Sequence, residues 1–219
     1  QGLSLDTNSD GAREAVVGAT ANLARQDTQI DANLATMQRD ALSSFDDYVT
    51  AGNELLRRIG ELNGQIVSST VGEQKPNDLL DQRQVLLDQL AEFMHFTTVD
   101  RGDGSIDVLV QGSAVVTRSH VNELRIHEDV DGRGQAMQSV VFGGRNPVTV
   151  DLGAGAMAGY QRSANDLIPG IRADLDELAT EIIRRVNELH EAGVTEEGVG
   201  VSLFVGTSAA TIAINEAVE

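Results

Sequence analysis

Apolar residues between positions 12 and 69 recur at Leu23, Ile30, Leu34, Met37, Ala41, Phe45, Tyr48, Leu55, Ile59, Leu62 and Ile66. From Leu34 every interval is three or four, with Gly52 in the slot between Tyr48 and Leu55. This spacing predicts one long helix with a heptad-like seam, in which positions 34, 41, 48, 55 and 62 share a stripe. No proline interrupts the stretch, and its glycines are Gly18, Gly52, Gly60 and Gly64. A helix of nearly 60 residues would run about 85 Å, far more than a small domain requires. Rods of this sort hold partners in an assembly or span a long bundle. Residues 1–10 read as a loop closing on Asn8-Ser9-Asp10-Gly11.

Gly72 and Lys75-Pro76 break the rod. Asn77 or Asp78 then offers an N-cap, and Asp78 and Asp81 place negative charge in the first turn of a second helix. Leu79, Leu80, Leu86, Leu87, Leu90, Phe93 and Met94 give that helix a wide apolar stripe. The short connection makes it an antiparallel neighbour of the rod's C-terminal half. Near Phe96 the period changes to alternation, in Ile106-Val108-Val110, Leu124-Ile126 and Val148-Val150. Gly102-Asp103-Gly104, Asp131-Gly132-Arg133-Gly134 and Gly143-Gly144-Arg145-Asn146-Pro147 supply the turns, so residues 96–152 read as about six short antiparallel strands. Helix resumes with a short element at 156–166 and a longer one that Pro169 starts. Its stripe is Ile171, Leu175, Leu178, Ile182, Val186 and Leu189, and Gly193 is its stop. Ser202–Val205 and Thr211–Ile214 are short strand candidates.

Charge narrows the partners. Acidic residues outnumber basic ones 34 to 16, a net charge of −18, which repels nucleic acid phosphates and anionic membranes. The absence of Cys removes disulfides, thiolate zinc sites and thiol nucleophiles. No apolar run reaches the roughly 18 residues of a membrane-spanning helix. The sequence begins at Gln1, with neither initiator Met nor signal peptide, and reads as a piece of a longer chain.

Candidate chemistry is sparse. His120, His127 and His190 are scattered, and His190-Glu191 begins like a zinc-binding helix but lacks the second His. His95 adjoins the end of an apolar stripe and reads as a core-edge residue. Asp129-Val130-Asp131-Gly132 echoes a calcium loop, yet Val140 stands where the bidentate Glu belongs. Asp100-Arg101-Gly102-Asp103-Gly104 fails in the same way, and both read as hairpin turns. Gly153-Ala154-Gly155 through Gly159 misses the dinucleotide spacing by one residue and follows antiparallel strands. No G-x-S-x-G elbow occurs. Arg83 alone stands against pattern, four after Leu79 and three before Leu86. Its stem should pack on the rod while its guanidinium pairs with Glu54, Glu61 or a neighbouring Asp.

Pro76-Asn77-Asp78-Leu79-Leu80-Asp81-Gln82-Arg83, continuing through Leu86-Leu87 to Leu90, resembles the signature of the first flagellar hook-associated protein family, which joins hook to filament in bacterial flagella. Ala12-Arg13-Glu14-Ala15-Val16 before it, and Leu178-Ala179, Val186-Asn187, His190, Gly193 and Ile212-Ala213-Ile214-Asn215 after it, extend the resemblance along the chain. Leu203-Phe204 departs from it, since many members have two consecutive Phe there. The resemblance implies a non-catalytic structural protein, exported by the flagellar type III apparatus to the extracellular flagellum. Its implied partners are the hook protein, the second hook-associated protein and an export chaperone, contacted through terminal helices outside this sequence.

The expected fold class is α+β, a long-rod helical bundle with an inserted small antiparallel β module. Residues 1–95 and 153–200 would form the bundle, with its rod at about 12–69. Residues 96–152 would form the β module, and 201–219 would start a further strand-containing segment. No cofactor, metal or catalytic residue is expected, and the isolated chain is expected to be monomeric. Another extracellular coiled-coil assembly or adhesion protein is the alternative, followed by an enzyme with an unrecognised site on the β module. A deep pocket with convergent polar groups would mark the latter.

Overall fold

A computed structural model describes residues 10–69, 76–130, 136–143, 147–195 and 198–218. Helix α1 runs without interruption over Asp10–Ser69 and α2 over Asn77–Phe93. Strands β1 (Thr97–Asp100), β2 (Ile106–Val110), β3 (Ser113–Thr117) and β4 (His120–Val121) form an antiparallel sheet in the order β1-β2-β3-β4. Strands β5 (Arg125–Val130), β6 (Ala136–Phe142) and β7 (Val148–Val150) form a second, three-stranded antiparallel sheet. Helix α3 (Ala156–Arg162) passes through a π turn at Ser163–Leu167 into α4 (Ile168–Glu191). Two two-residue hairpin pairs follow, β8 (Val194–Thr195) with β9 (Gly198–Val199) and β10 (Phe204–Val205) with β11 (Ala213–Ile214). The class is α+β, as the sequence pattern predicts.

Packing divides the chain into two compact units, Gln1–Gln38 with Ile168–Glu219, and Arg39–Leu167. In the second unit the heptad ladder of α1 does what its spacing requires. Phe45, Val49, Leu56, Ile59 and Leu62 pack with Leu86, Leu87 and Leu90 of α2 and with Val108, Val110, Val115 and Val116 of the first sheet. Gly52, the gap in the ladder, receives the Met157 side chain of α3. Tyr48 meets the Phe93 ring edge-on at 5.0 Å and stacks on Tyr160 at 5.3 Å, so three of the chain's few aromatics close one end of this core. Asp107 lies inside β2 between buried Ile106 and Val108; Arg101 pairs with its carboxylate, and the Arg118 amide donates to it at 3.1 Å. These bonds hold its pKa below the ordinary carboxylate value, the Arg101 hydrogen bond contributing most.

Three expectations change in detail. Among the described residues of 96–152 seven strands stand where about six are predicted, one of them the two-residue edge β4. Pro76, not Asn77 or Asp78, takes the cap position of α2, its carbonyl accepting from Leu79 and Leu80 at 3.1 Å. Asp10 and Gly11 belong to α1; residues 1–9 and the Gly72–Lys75 break lie outside the described residues.

The larger correction concerns the first unit. Ile30 and Met37, both in the apolar recurrence that predicts the rod, are 46% and 56% exposed. The buried line instead runs through Ala24, Asp27 and Asp31. An apolar and a partly acidic ladder overlap on this part of α1, and α4 packs on the acidic one. Arg172 donates to both oxygens of Asp31, at 2.8 and 3.2 Å, while Ala24 and the fully buried Ala179 keep the surfaces flat. Ala24, Ile183, Phe204 and Ile212 form the core there.

Asp27 is the cost of that choice. Its Oδ2 is buried with no hydrogen-bond partner among the described residues, and burial pushes its pKa above the ordinary 3.8. The folded unit therefore holds a proton across a window where the unfolded chain has lost it. Stability from this group is highest below pH 3.8, falls as pH rises towards the raised value, and is flat above it. Asp27→Asn should raise stability at pH 7 by about 1 kcal/mol. Urea melts of both proteins from pH 3.5 to 7 check this, and the gain should shrink as pH falls.

Candidate functional site

Four helical asparagines fasten strands and strand-like segments to the helices. Each amide bonds both the N–H and the C=O of a single residue, as a neighbouring strand would. Asn53 clamps Leu124 at 2.8 Å in both directions. Asn63 clamps Ile106, accepting its N–H at 3.2 Å and donating to its C=O at 2.8 Å. Asn165, in the π turn, clamps Gln138 of β6 at 3.0 and 2.7 Å. In the other unit Asn187 clamps Phe204 at 2.8 and 2.9 Å and also accepts from Leu203. A carboxamide carries a donor and an acceptor side by side, which is what an unpaired strand residue lacks. The π turn that presents Asn165 ends two residues before Pro169, which has no N–H to give to the preceding helical turn.

The Asn63 clamp is the best connected. Wholly buried, Asn63 uses all four of its hydrogen-bonding positions: its Nδ2 also reaches the Arg118 carbonyl at 2.7 Å, and its Oδ1 also accepts from Arg83 Nη1 at 2.8 Å. Arg83 donates onward to the Gly104 carbonyl at 2.8 Å. One side chain each from α1 and α2 thus holds the β1–β2 turn and the turn after β3. Gly60 belongs to the same contact. A Cβ there would stand 3.0 Å from Val121 Cγ2 and 3.2 Å from the Ser119 carbonyl, so the bare helix backbone lets that turn approach.

The motif residues divide by face. Arg83, Leu86 and Leu87 are buried and Leu79 packs partly against the same core, whereas Asn77, Asp78, Asp81 and Gln82 face solvent. Arg83 faces the seam, but its bonded partners are the Asn63 amide and a backbone carbonyl rather than Glu54 or Glu61. Glu54 is engaged by Arg57 at 2.6 Å instead. Burial lowers the Arg83 pKa, and the charge of Asp100 opposes that shift. Arg83→Ala should cost about 2–3 kcal/mol, the range for hydrogen bonds to a charged group, and Arg83→Lys should restore less than half. Urea unfolding followed by circular dichroism measures both, and an unchanged midpoint for Arg83→Ala contradicts this role.

Sequence reasoning passed over Asn53, Asn63 and Asn165. Asn63 had a readable signal, since it falls on the buried three–four ladder Gly52, Leu56, Ile59, Asn63, Ile66, where an unpaired amide would be penalised.

A cavity of about 570 Å³ is lined by Arg57, Glu61, His120, Glu123 and Arg125 among others. Its cations are engaged: Arg57 pairs with Glu54 and Glu123, and Arg125 donates to the Gly143 carbonyl. No group of three or more metal-ligating side chains occurs among the described residues. His190 meets the Val201 carbonyl and Glu191 the Ser202 hydroxyl, so both tie α4 to the segment that follows. The Asp131–Gly134 turn lies outside the described residues, and the strands flanking it pair as a hairpin.

The family model of the flagellar hook-associated protein FlgK helical domain matches residues 1–204. The chain belongs to that family. Flagellar hook-associated protein 1 of Bacillus subtilis (strain 168) is 23% identical over 223 residues, a match covering 90% of this chain and 44% of that protein. The solved structure of the flagellar hook junction protein FlgK from Burkholderia pseudomallei shares the fold, with a TM-score of 0.78 and 23% identity over 94% of this chain and 38% of that one. This FlgK-family chain thus spans less than half the length of either relative. The helical-domain match takes in all four asparagine clamps, ending at Phe204, the residue that Asn187 holds.

Proposed function

We propose that this FlgK-family protein is a structural component of the bacterial flagellum that joins hook to filament as an axial junction protein. The observation that carries the reading is the family match over residues 1–204. The geometry supports it: α1 continues for 60 residues without a break, and side-chain amides lock the strands to helices. Rigidity of this kind suits a part that transmits torque and performs no chemistry. Residues Pro76 to Arg83, with Leu86 and Leu87, act in this reading as the structural motif that seats α2 on α1 and on the β1–β2 turn.

The partners in this reading are the hook protein, the second hook-associated protein and an export chaperone, met through segments outside these 219 residues. The location is the extracellular flagellum, reached through the flagellar type III apparatus. No described helix is long and apolar enough to cross a membrane. Deleting the gene in the bacterium that encodes the chain should abolish swimming and leave hooks without filaments under the electron microscope. Normal filaments in the deletion strain would overturn the proposal.

A further inference from the structure

We propose that Asn63-Gly64 is a latent deamidation site, silent in the folded protein and opened whenever the chain unfolds, and that modification there ends the ability to refold. Asn63 is the only asparagine of the 219-residue chain that glycine follows. In an unfolded Asn-Gly pair the glycine nitrogen loses its proton to base and attacks the asparagine Cγ. The Cγ–Nδ2 bond breaks, the nitrogen leaves as ammonia, and a five-membered succinimide remains. Water then opens the ring at either carbonyl, giving aspartate or isoaspartate. One amide and one water become one acid and one ammonia, with no oxidant or reductant. Glycine speeds the ring closure because no Cβ obstructs the attack and its backbone turns freely.

The fold blocks each step. Both residues lie inside α1, where ψ of about −42° keeps the Gly64 nitrogen out of line with Cγ and its N–H points to the carbonyl one turn back. The Asn63 amide is fully engaged. Nδ2 donates to the Ile106 and Arg118 carbonyls at 2.8 and 2.7 Å, and Oδ1 accepts from Arg83 at 2.8 Å and from the Ile106 amide at 3.2 Å. Swinging Cγ towards the backbone would break all four bonds. The side chain is also wholly buried, away from the water that opens the ring.

The products do not fit the clamp. An aspartate carboxylate at this position accepts but cannot donate, so the Ile106 and Arg118 carbonyls would face a negative charge in place of an N–H. Isoaspartate routes the main chain through Cβ and Cγ, and the extra atom interrupts α1 between buried Leu62 and Ile66. The lability is confined to this clamp. Asn53, Asn165 and Asn187 are followed by Glu54, Asp166 and Glu188, whose side chains obstruct the same attack. Glycine is not required by the folded state, since a Cβ at Gly64 would meet Ser119 Cβ at an ordinary 3.7 Å. The chain therefore carries an irreversible record of time spent unfolded, written at the junction of α1, α2 and the β1–β2 turn.

The test holds the 219-residue chain at mildly alkaline pH in buffer and in guanidinium chloride, returning samples to buffer at intervals. Mass spectrometry of the Asn63 peptide reads the conversion of amide to acid, and circular dichroism reads the refolded fraction. Conversion in buffer should be slower than in denaturant by about a hundredfold or more. In denaturant the refoldable fraction should fall at the rate at which Asn63 converts. Gly64→Ala should slow both by about tenfold, and its conversion in denaturant is read without any need to refold. Comparable conversion in the two solvents, full refolding of converted chains, or an unslowed Gly64→Ala variant overturns the proposal.

Discussion

Asn63→Ala should lower stability by about 4 kcal/mol and detach the first sheet from α1. The substitution leaves the buried Ile106 N–H and C=O, a buried Arg83 N–H and the part-buried Arg118 carbonyl without their partner. Each such group costs about 1–3 kcal/mol, and relaxation of the turns recovers part of the sum. Urea unfolding should show an early transition for the variant. Asn53→Ala is the internal comparison: it breaks one two-bond clamp at a half-buried site and should cost about 1–2 kcal/mol. The clamps also share partners, so Asn63→Ala and Arg83→Ala should be strongly non-additive, with the double variant little worse than Asn63→Ala alone. A loss below about 1 kcal/mol for Asn63→Ala would remove the clamp from the account.

The second large effect is at Gly155, in the turn leading into α3. Its φ is +93°, and a Cβ there would stand 2.6 Å from the Phe93 carbonyl carbon and oxygen and 2.7 Å from the Met94 nitrogen. These are backbone atoms at the end of α2, which cannot rotate aside as a side-chain tip would. Gly155→Ala should therefore cost more than about 3 kcal/mol, combining left-handed strain with a main-chain clash. Gly159, four residues on and inside α3, has open space where its Cβ would go. Gly159→Ala should be neutral or stabilise by up to about 1 kcal/mol. Thermal melts of the pair separate the two readings, and similar midpoints for both would contradict the contact at Gly155.

Much of the fold was legible because it follows from periodicity. The three–four ladder set the extent of α1 to within two residues at its start. Alternation and glycine-rich turns located both sheets, and the Pro76 to Leu87 motif led to the family. What periodicity could not supply was a choice between equivalent ladders. Ile30 and Asp31 are adjacent, and nothing local says that Arg172, more than a hundred positions away, will recruit the Asp. Arg83 shows the same limit. Its burial followed from spacing, but its partners are an amide and a carbonyl brought together only by the packing of α1, α2 and the β1–β2 turn. The asparagine clamps were invisible for the same reason, except at Asn63, where a buried polar position already asked for an explanation. By sequence alone Pro169 is a helix-start signal, whereas in the fold the π turn between α3 and α4 accommodates it.

The most direct test of the account is where the protein sits. Gold-labelled antibodies raised against this chain, applied to flagella from the bacterium that encodes it and viewed by electron microscopy, should mark only the boundary between hook and filament. Gold distributed along the filament, or confined to the cell body, would contradict the assignment.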